Sequence, residues 1–259
     1  MAETSTPVPR RVLVGDAARP SAWLFDLDGV LTDTATLHDR AWKAIFDRFL
    51  ASLDPPGRPF DPIEDYERYV DGKPHNDGVR DFLASRGIVL PEGTGDRRGP
   101  GPTVTGIAAT KNARYLELLA SEGAAVFPDA AALLGAVRDA GRRCAVVTAS
   151  ENLGAVLRAA GLEGAFDAQV DGLVAKRHRL QGKPAPDTYL FGAALLGAAP
   201  KDAVVVEDAP AGAAAGRAGG FGLVVGVARR ASEEELRSAG ADVVVRDLTT
   251  LLGPAGGGQ

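Results

Sequence analysis

Asp26 and Asp28 place two carboxylates two positions apart in the run Phe25-Asp26-Leu27-Asp28-Gly29-Val30-Leu31-Thr32-Asp33-Thr34. They stand directly behind the apolar segment Ala22-Trp23-Leu24-Phe25. A short apolar run bounded by turn signals predicts a buried strand. Its carboxyl end is the rim where open α/β sheets place their ligands. Two like charges so close repel, so either one is protonated or a cation sits between them. Asp-x-Asp-Gly at a strand end therefore suggests a site for Mg²⁺ and an anionic substrate.

Other strand ends carry matching chemistry. Cys144-Ala145-Val146-Val147 runs into Thr148-Ala149-Ser150, and Ala203-Val204-Val205-Val206 runs into Glu207-Asp208. Between them Gly182-Lys183-Pro184-Ala185-Pro186-Asp187 sets a lysine in a rigid loop before a helix. In a parallel sheet these ends share one rim, so carboxylates, a hydroxyl and a lysine converge. Phosphoryl transfer uses this inventory: a carboxylate nucleophile, Mg²⁺ and a lysine to neutralise the transferred oxygens, and a hydroxyl with backbone N–H groups to hold them. A second carboxylate moves the proton.

The elements that must position these groups follow from periodicity. Leu37, Ala41, Ala44, Ile45 and Phe49 recur at helical spacing and predict a helix over 36–53, ended by Pro55, Pro56, Gly57 and Pro59. Further helices are expected around 63–70, 77–85 and 110–119, with 91–105, rich in Gly, Pro and Arg, as a mobile loop. No strand pattern appears between 37 and 120, so that block reads as a small all-helical domain. From Phe127 on, strands at 144–147, 203–206 and 223–227, with weaker ones at 166–170 and 242–245, alternate with helices at 129–140, 152–160, 186–196 and 210–218. Valine runs without polar alternation suit strands covered on both faces, as in a parallel sheet. The first strand belongs to that sheet, which makes the helical block an insertion. The expected organisation is a disordered N-terminus (1–20), an α/β core (21–36 with 121–252), a helical domain (37–120) and a frayed tail (253–259). The stretch 176–179 reads as an exposed polar loop.

Composition narrows the function classes. The 259 residues are 45% hydrophobic and 24% charged, ordinary for a globular chain with a real core. A net charge of −5 without a basic block argues against a nucleic-acid partner. No apolar stretch approaches membrane-spanning length, and the first twenty residues lack the apolar segment of a secretory signal. A cytoplasmic monomer acting on a small molecule is the expectation. Cys144, the single cysteine, reads as a buried packing residue, and Trp42 as packing.

The order Asp-x-Asp-Gly, Thr, Lys, Glu-Asp resembles the haloacid dehalogenase (HAD) superfamily over roughly 22–245. That resemblance implies a Rossmann-like parallel-sheet core with an inserted all-helical C1 cap. It makes Asp26 the nucleophile, Asp28 the general acid/base, Thr148 and Lys183 the phosphoryl-binding pair, and Asp208 a metal ligand beside Glu207. Asp26 and Asp28 join the Mg²⁺ set. Metal-free dehalogenases lack the second aspartate, so Asp28 argues against that activity. Within the superfamily the continuation His38 and Arg40-Ala41-Trp42-Lys43-Ala44 is similar to the β-phosphoglucomutase group. It implies that His38 contacts the general acid/base, Thr34 is a hinge residue, Lys111 is a cap lysine of the site, and Ala149, Ser150 and Asn152 help bind a distal phosphate.

One segment departs from that group. Its cap loop Lys-Gly-x-x-Arg-x-x-Ser is here Asp71-Gly72-Lys73-Pro74-His75-Asn76-Asp77-Gly78. Gly72 is kept, but the arginine that grips the second phosphate has become His75, which makes no bidentate clamp. Lys73 or Arg80 could supply the charge instead. The resemblance implies a mutase that interconverts β-glucose 1-phosphate and glucose 6-phosphate, primed by a sugar bisphosphate. A sugar-phosphate phosphatase is the alternative, and a non-catalytic phosphosugar-binding protein the third reading.

Overall fold

The computed structural model describes residues 20–70, 73–93 and 102–252. The expectations for the N-terminus, for Asp71 and Gly72, for most of the 91–105 loop and for the tail lie outside those residues. The chain divides into two compact units: 20–33, 125–154 and 160–252 form one, and 34–124 with 155–159 the other.

The first unit is a six-stranded, wholly parallel sheet in the order β3-β2-β1-β4-β5-β6. Its strands are β1 (Ala22–Phe25), β2 (Arg143–Val147), β3 (Ala168–Val170), β4 (Ala203–Glu207), β5 (Leu223–Val227) and β6 (Val243–Val245). Every residue of β1, β4 and β5 is buried, which explains the valine runs without polar alternation. On one face Leu24, Ala145, Val147, Val205 and Val224 pack with Tyr189 and Ala193 of α7 (Asp187–Leu195), with Ala213 and Ala215 of α8 (Pro210–Ala218), and with Leu236 of α9 (Glu233–Ala239). α4 (Pro128–Asp139) packs on β2. The expected Rossmann-like class is the one observed. Cys144 is fully buried, and burial pushes its thiol up to about 12, so it is a packing group.

Register sets the site. Phe25 pairs with Val146 of β2 and Val206 of β4, which brings Asp26 level with Val147 and Glu207. The strand order reverses between β1 and β4, the switch point at which parallel sheets open a crevice.

The second unit is helical: α1 (Ala35–Ala51), a π-turn over Tyr66–Val70, α2 (His75–Ser85) and α3 (Val104–Glu122). Trp42, Phe46 and Leu50 of α1 pack with Phe60, Val79, Phe82, Leu83, Val104 and Ile107 in a core of its own. Trp42 is buried and stacks on Phe46 with ring centroids 5.0 Å apart.

Two expectations change, and one helix is found where none was expected. The helix expected at 110–119 runs over Val104–Glu122, because the Thr103 side chain accepts the Gly106 N–H at 3.0 Å and caps it two turns earlier; residues 104 and 105 therefore leave the expected loop. The stretch 176–179 is exposed but is not a loop: it closes α6 (Gly172–His178), capped by Asp171, whose side chain accepts the Val174 N–H. α6 buries no residue, so no apolar period announced it. α9 carries a capping box between Ser232 and Glu235, a signal present in the sequence as Ser-x-x-Glu. Thr103→Ala is expected to lower stability by about 1 kcal/mol, read from chemical denaturation. No helix among the described residues is long and apolar enough to cross a membrane.

Candidate active site

The carboxyl ends of β1, β2 and β4 bring Asp26, Asp28, Thr148, Lys183, Glu207 and Asp208 together. Lys183, in the turn that leads to α7, is the hub. Its ammonium donates to Asp26 Oδ1 and, at 2.5 Å, to Glu207 Oε1, and its side chain is 12% exposed. Thr148 Oγ1 lies 3.5 Å from Asp28 Oδ2 and accepts the Ser150 N–H at 3.0 Å. Ser150 Oγ in turn accepts the Asn152 N–H, so Ala149, Ser150 and Asn152 form a tight turn beside Thr148.

Glu207 is held on every side. Besides Lys183, Oε1 accepts the Tyr189 hydroxyl at 2.8 Å, while Oε2 accepts the N–H groups of Asp208 and Ala209 at 3.1 and 3.2 Å. Its carboxylate fits against Gly212, where a Cβ would stand 1.7 Å from Oε1. Tyr189 presents its ring to Lys183 as well, with Nζ 4.9 Å from the centroid. The sequence reading did not include Tyr189: a tyrosine in an apolar helix gives no sign of what its hydroxyl meets.

Gly29 explains the last position of Asp-x-Asp-Gly. Its φ is +90°, and a Cβ there would lie 1.9 Å from Asp208 Oδ2. Only glycine lets the β4 aspartate come up against the β1 turn.

Electrostatics follow from four carboxylates around one lysine. Burial drives the Asp26 carboxyl well above the usual range, Glu207 and Asp28 add to this, and Lys183 opposes it. Burial works against the charged form of Lys183, but Asp26 and Glu207 outweigh it, so the lysine keeps its proton. The site is short of positive charge. Asp26, Glu207 and Asp208 each offer an oxygen, all within 4.8 Å of one another, and this buried set of hard donors suits Mg²⁺.

The helical unit holds a second cluster. Lys111, fully buried on α3, approaches His38 Nδ1 of α1 at 2.7 Å and His75 Nε2 of α2 at 3.4 Å. The His38 ring stacks on Tyr115 at 4.0 Å, and the ammonium lies 4.7 Å from the Trp42 ring centroid. Thr34, buried, accepts the His38 N–H through its carbonyl. The two other candidate cap cations are engaged with acids: Lys73 pairs with Asp81 at 2.5 Å, and Arg80 bonds Asp77 and Glu92. The structure thus brings His75, rather than Lys73 or Arg80, to the Lys111–His38 pair.

Residues 21–220 match the model of the haloacid dehalogenase-like hydrolases. The chain belongs to this family. Among HAD relatives, a protein named β-phosphoglucomutase from Mycobacterium bovis is 48% identical over 253 residues, covering 95% of this chain and 97% of that one. Hexitol phosphatase A of Escherichia coli is 33% identical over 234 residues, covering 90% and 94%. The crystal structure of β-phosphoglucomutase from Clostridium difficile superposes with a TM-score of 0.70 at 25% identity, covering 90% and 93%.

Proposed function

We propose that this HAD enzyme is a Mg²⁺-dependent β-phosphoglucomutase-like phosphotransferase. It interconverts β-glucose 1-phosphate and glucose 6-phosphate in the cytoplasm, primed by a sugar bisphosphate. The observation that carries this is the rim at which Lys183 ties Asp26 to Glu207 while Thr148 faces Asp28. The 48% identity to a protein named β-phosphoglucomutase points the same way.

Asp26 attacks the phosphorus of the bisphosphate, forming an aspartyl phosphate as the bond to the sugar oxygen breaks. Asp28 delivers a proton to that departing oxygen. The glucose 6-phosphate released gives way to β-glucose 1-phosphate; Asp28 takes the proton of its 6-hydroxyl, whose oxygen attacks phospho-Asp26, breaking the Asp26–phosphorus bond, freeing the carboxylate and re-forming the bisphosphate. Lys183, fixed by Glu207 and the Tyr189 ring, compensates charge on the transferred oxygens, with the Thr148 hydroxyl as a further donor. Asp26, Asp28, Asp208 and Glu207 would hold Mg²⁺, which supplies further neutralisation of the phosphoryl group when bound. In the helical unit, the adjacency of His38 and Lys111 favours the mutase, because the resemblance ties this pair to timed proton transfer.

Histidine in place of the phosphate-gripping arginine, with Lys73 and Arg80 committed to acids, favours the second reading. In it a phosphatase uses the same phospho-Asp26 and water completes the reaction. Hexitol phosphatase A, at 33% identity, is in line with that. Purified protein with Mg²⁺, β-glucose 1-phosphate and a trace of β-glucose 1,6-bisphosphate separates the two. Glucose 6-phosphate is expected in large excess over inorganic phosphate. Free phosphate without glucose 6-phosphate would overturn the mutase and leave the phosphatase.

A further inference from the structure

Arg229 follows β5, and the phosphoryl-transfer inventory has no use for it. Its guanidinium nevertheless reaches the turn that carries Asp28. Nη2 donates to both Asp129 oxygens, at 2.7 and 2.9 Å, and Nε lies 3.4 Å from the Gly29 carbonyl oxygen. Cζ stands 4.0 Å from the centroid of the Phe127 ring. The Arg229 and Asp129 side chains are 18% and 11% exposed, so this is no solvated surface pair.

Each partner is tied to something else. Asp129 also accepts the Leu248 N–H at 2.9 Å, which anchors the C-terminal 3-10 turn to the same carboxylate. Phe127 donates its N–H to the Leu31 carbonyl at 3.0 Å. Within the 27–32 turn the Gly29 N–H bonds the Thr32 carbonyl, and the N–H groups of Leu31 and Thr32 share that of Leu27. The Gly29 carbonyl is the turn's link to the arginine.

We propose that Arg229, braced by Asp129 and Phe127, is a positioning residue that fixes the Gly29 peptide. It thereby fixes both the adjacent Asp28 and the approach of Asp208. Gly29 transmits the effect because the Asp208 carboxylate rests against its Cα, leaving no room for even a methyl group. Any shift of the Gly29 peptide must alter the spacing of the acidic set. The proposal rests on the reading of that set as a Mg²⁺ site. A surface cleft of about 420 Å³, lined by Phe127, Asp129, Arg229 and Thr249 among others, gives small solutes access to the guanidinium.

That access makes a chemical-rescue test possible. Mg²⁺ binding is measured by calorimetry on substrate-free Arg229→Ala, with melting temperature as the control for folding. The dissociation constant is expected to rise about 10-fold, the usual scale for groups that orient metal ligands, and kcat to fall more than KM changes. Added methylguanidinium should recover both. A folded Arg229→Ala with unchanged Mg²⁺ affinity overturns the proposal, as does weakened affinity that methylguanidinium fails to restore. If Arg229→Ala does not fold, Arg229→Lys replaces it. Its ammonium cannot hold Asp129 and reach Gly29 together, so the same weakening is expected, and unchanged affinity again overturns the proposal. Asp208→Asn separates the two levels: if it too leaves Mg²⁺ binding intact, the metal reading has failed rather than the role of Arg229.

Discussion

Asp26→Asn will abolish Mg²⁺-dependent turnover, by roughly ten-thousandfold or more, the scale on which removal of a covalent nucleophile acts. The amide keeps the shape of the side chain and one oxygen able to accept from Lys183, so packing at the β1 terminus should persist. What disappears is the anionic oxygen that attacks phosphorus. The fold should not suffer. Burial holds the Asp26 carboxyl well above its usual range, so the folded chain binds that proton more tightly than the unfolded chain does. The stability this group contributes is therefore present in acid and lost as pH rises through the folded pKa. Asparagine has no such proton to lose, so this decline of stability with rising pH should be absent from the variant. The melting temperature of the metal-free variant should equal or exceed that of the wild type. Turnover that survives undiminished would show that another group attacks phosphorus. Beryllium fluoride gives an independent check: with Mg²⁺ it should inhibit the wild type by imitating phospho-Asp26, and it should not bind the variant.

Gly29→Ala should be nearly as damaging, although glycine has no functional group. The new methyl carbon would stand 1.9 Å from Asp208 Oδ2 and 2.5 Å from its Cγ, so the carboxylate must leave its place. The φ of +90° adds backbone strain of about 1–2 kcal/mol for a residue with a side chain. Loss of the Asp208 position should weaken Mg²⁺ binding and reduce kcat at saturating substrate by about 100-fold. Raising Mg²⁺ should recover part of the activity if displacement of the ligand is the cause. A folded Gly29→Ala with wild-type Mg²⁺ dependence would mean that Asp208 has room the structure does not show. Gly29→Ala and Asp26→Asn thus fail differently, the first correctable by metal and the second not.

Much of the core was open to reading because its signals are local. The apolar runs ending in Asp26, Thr148 and Glu207 reported buried strands, and parallel pairing places such ends on one rim whatever their order. The helices at 36–53 and 210–218 showed their apolar faces and breakers within single segments. α6 escaped because it buries no residue. α9 escaped although Ser232 and Glu235 spell its capping box, because Leu236 is the one residue it buries.

The chain itself determines the chemical types, the strand ends that carry them and the alternation that builds a parallel sheet, since each depends on neighbours a few residues apart. Tertiary structure alone decides which distant groups meet. Strand order and register, not pattern, set Asp26 level with Glu207. Helix packing against the sheet aims the Tyr189 hydroxyl at Glu207, and packing of α1, α2 and α3 closes His38 and His75 on Lys111. Arg229 reaches Gly29 across 200 positions of chain. Periodicity reports which side of an element is buried, but the distance between two side chains on different elements is fixed only when those elements dock.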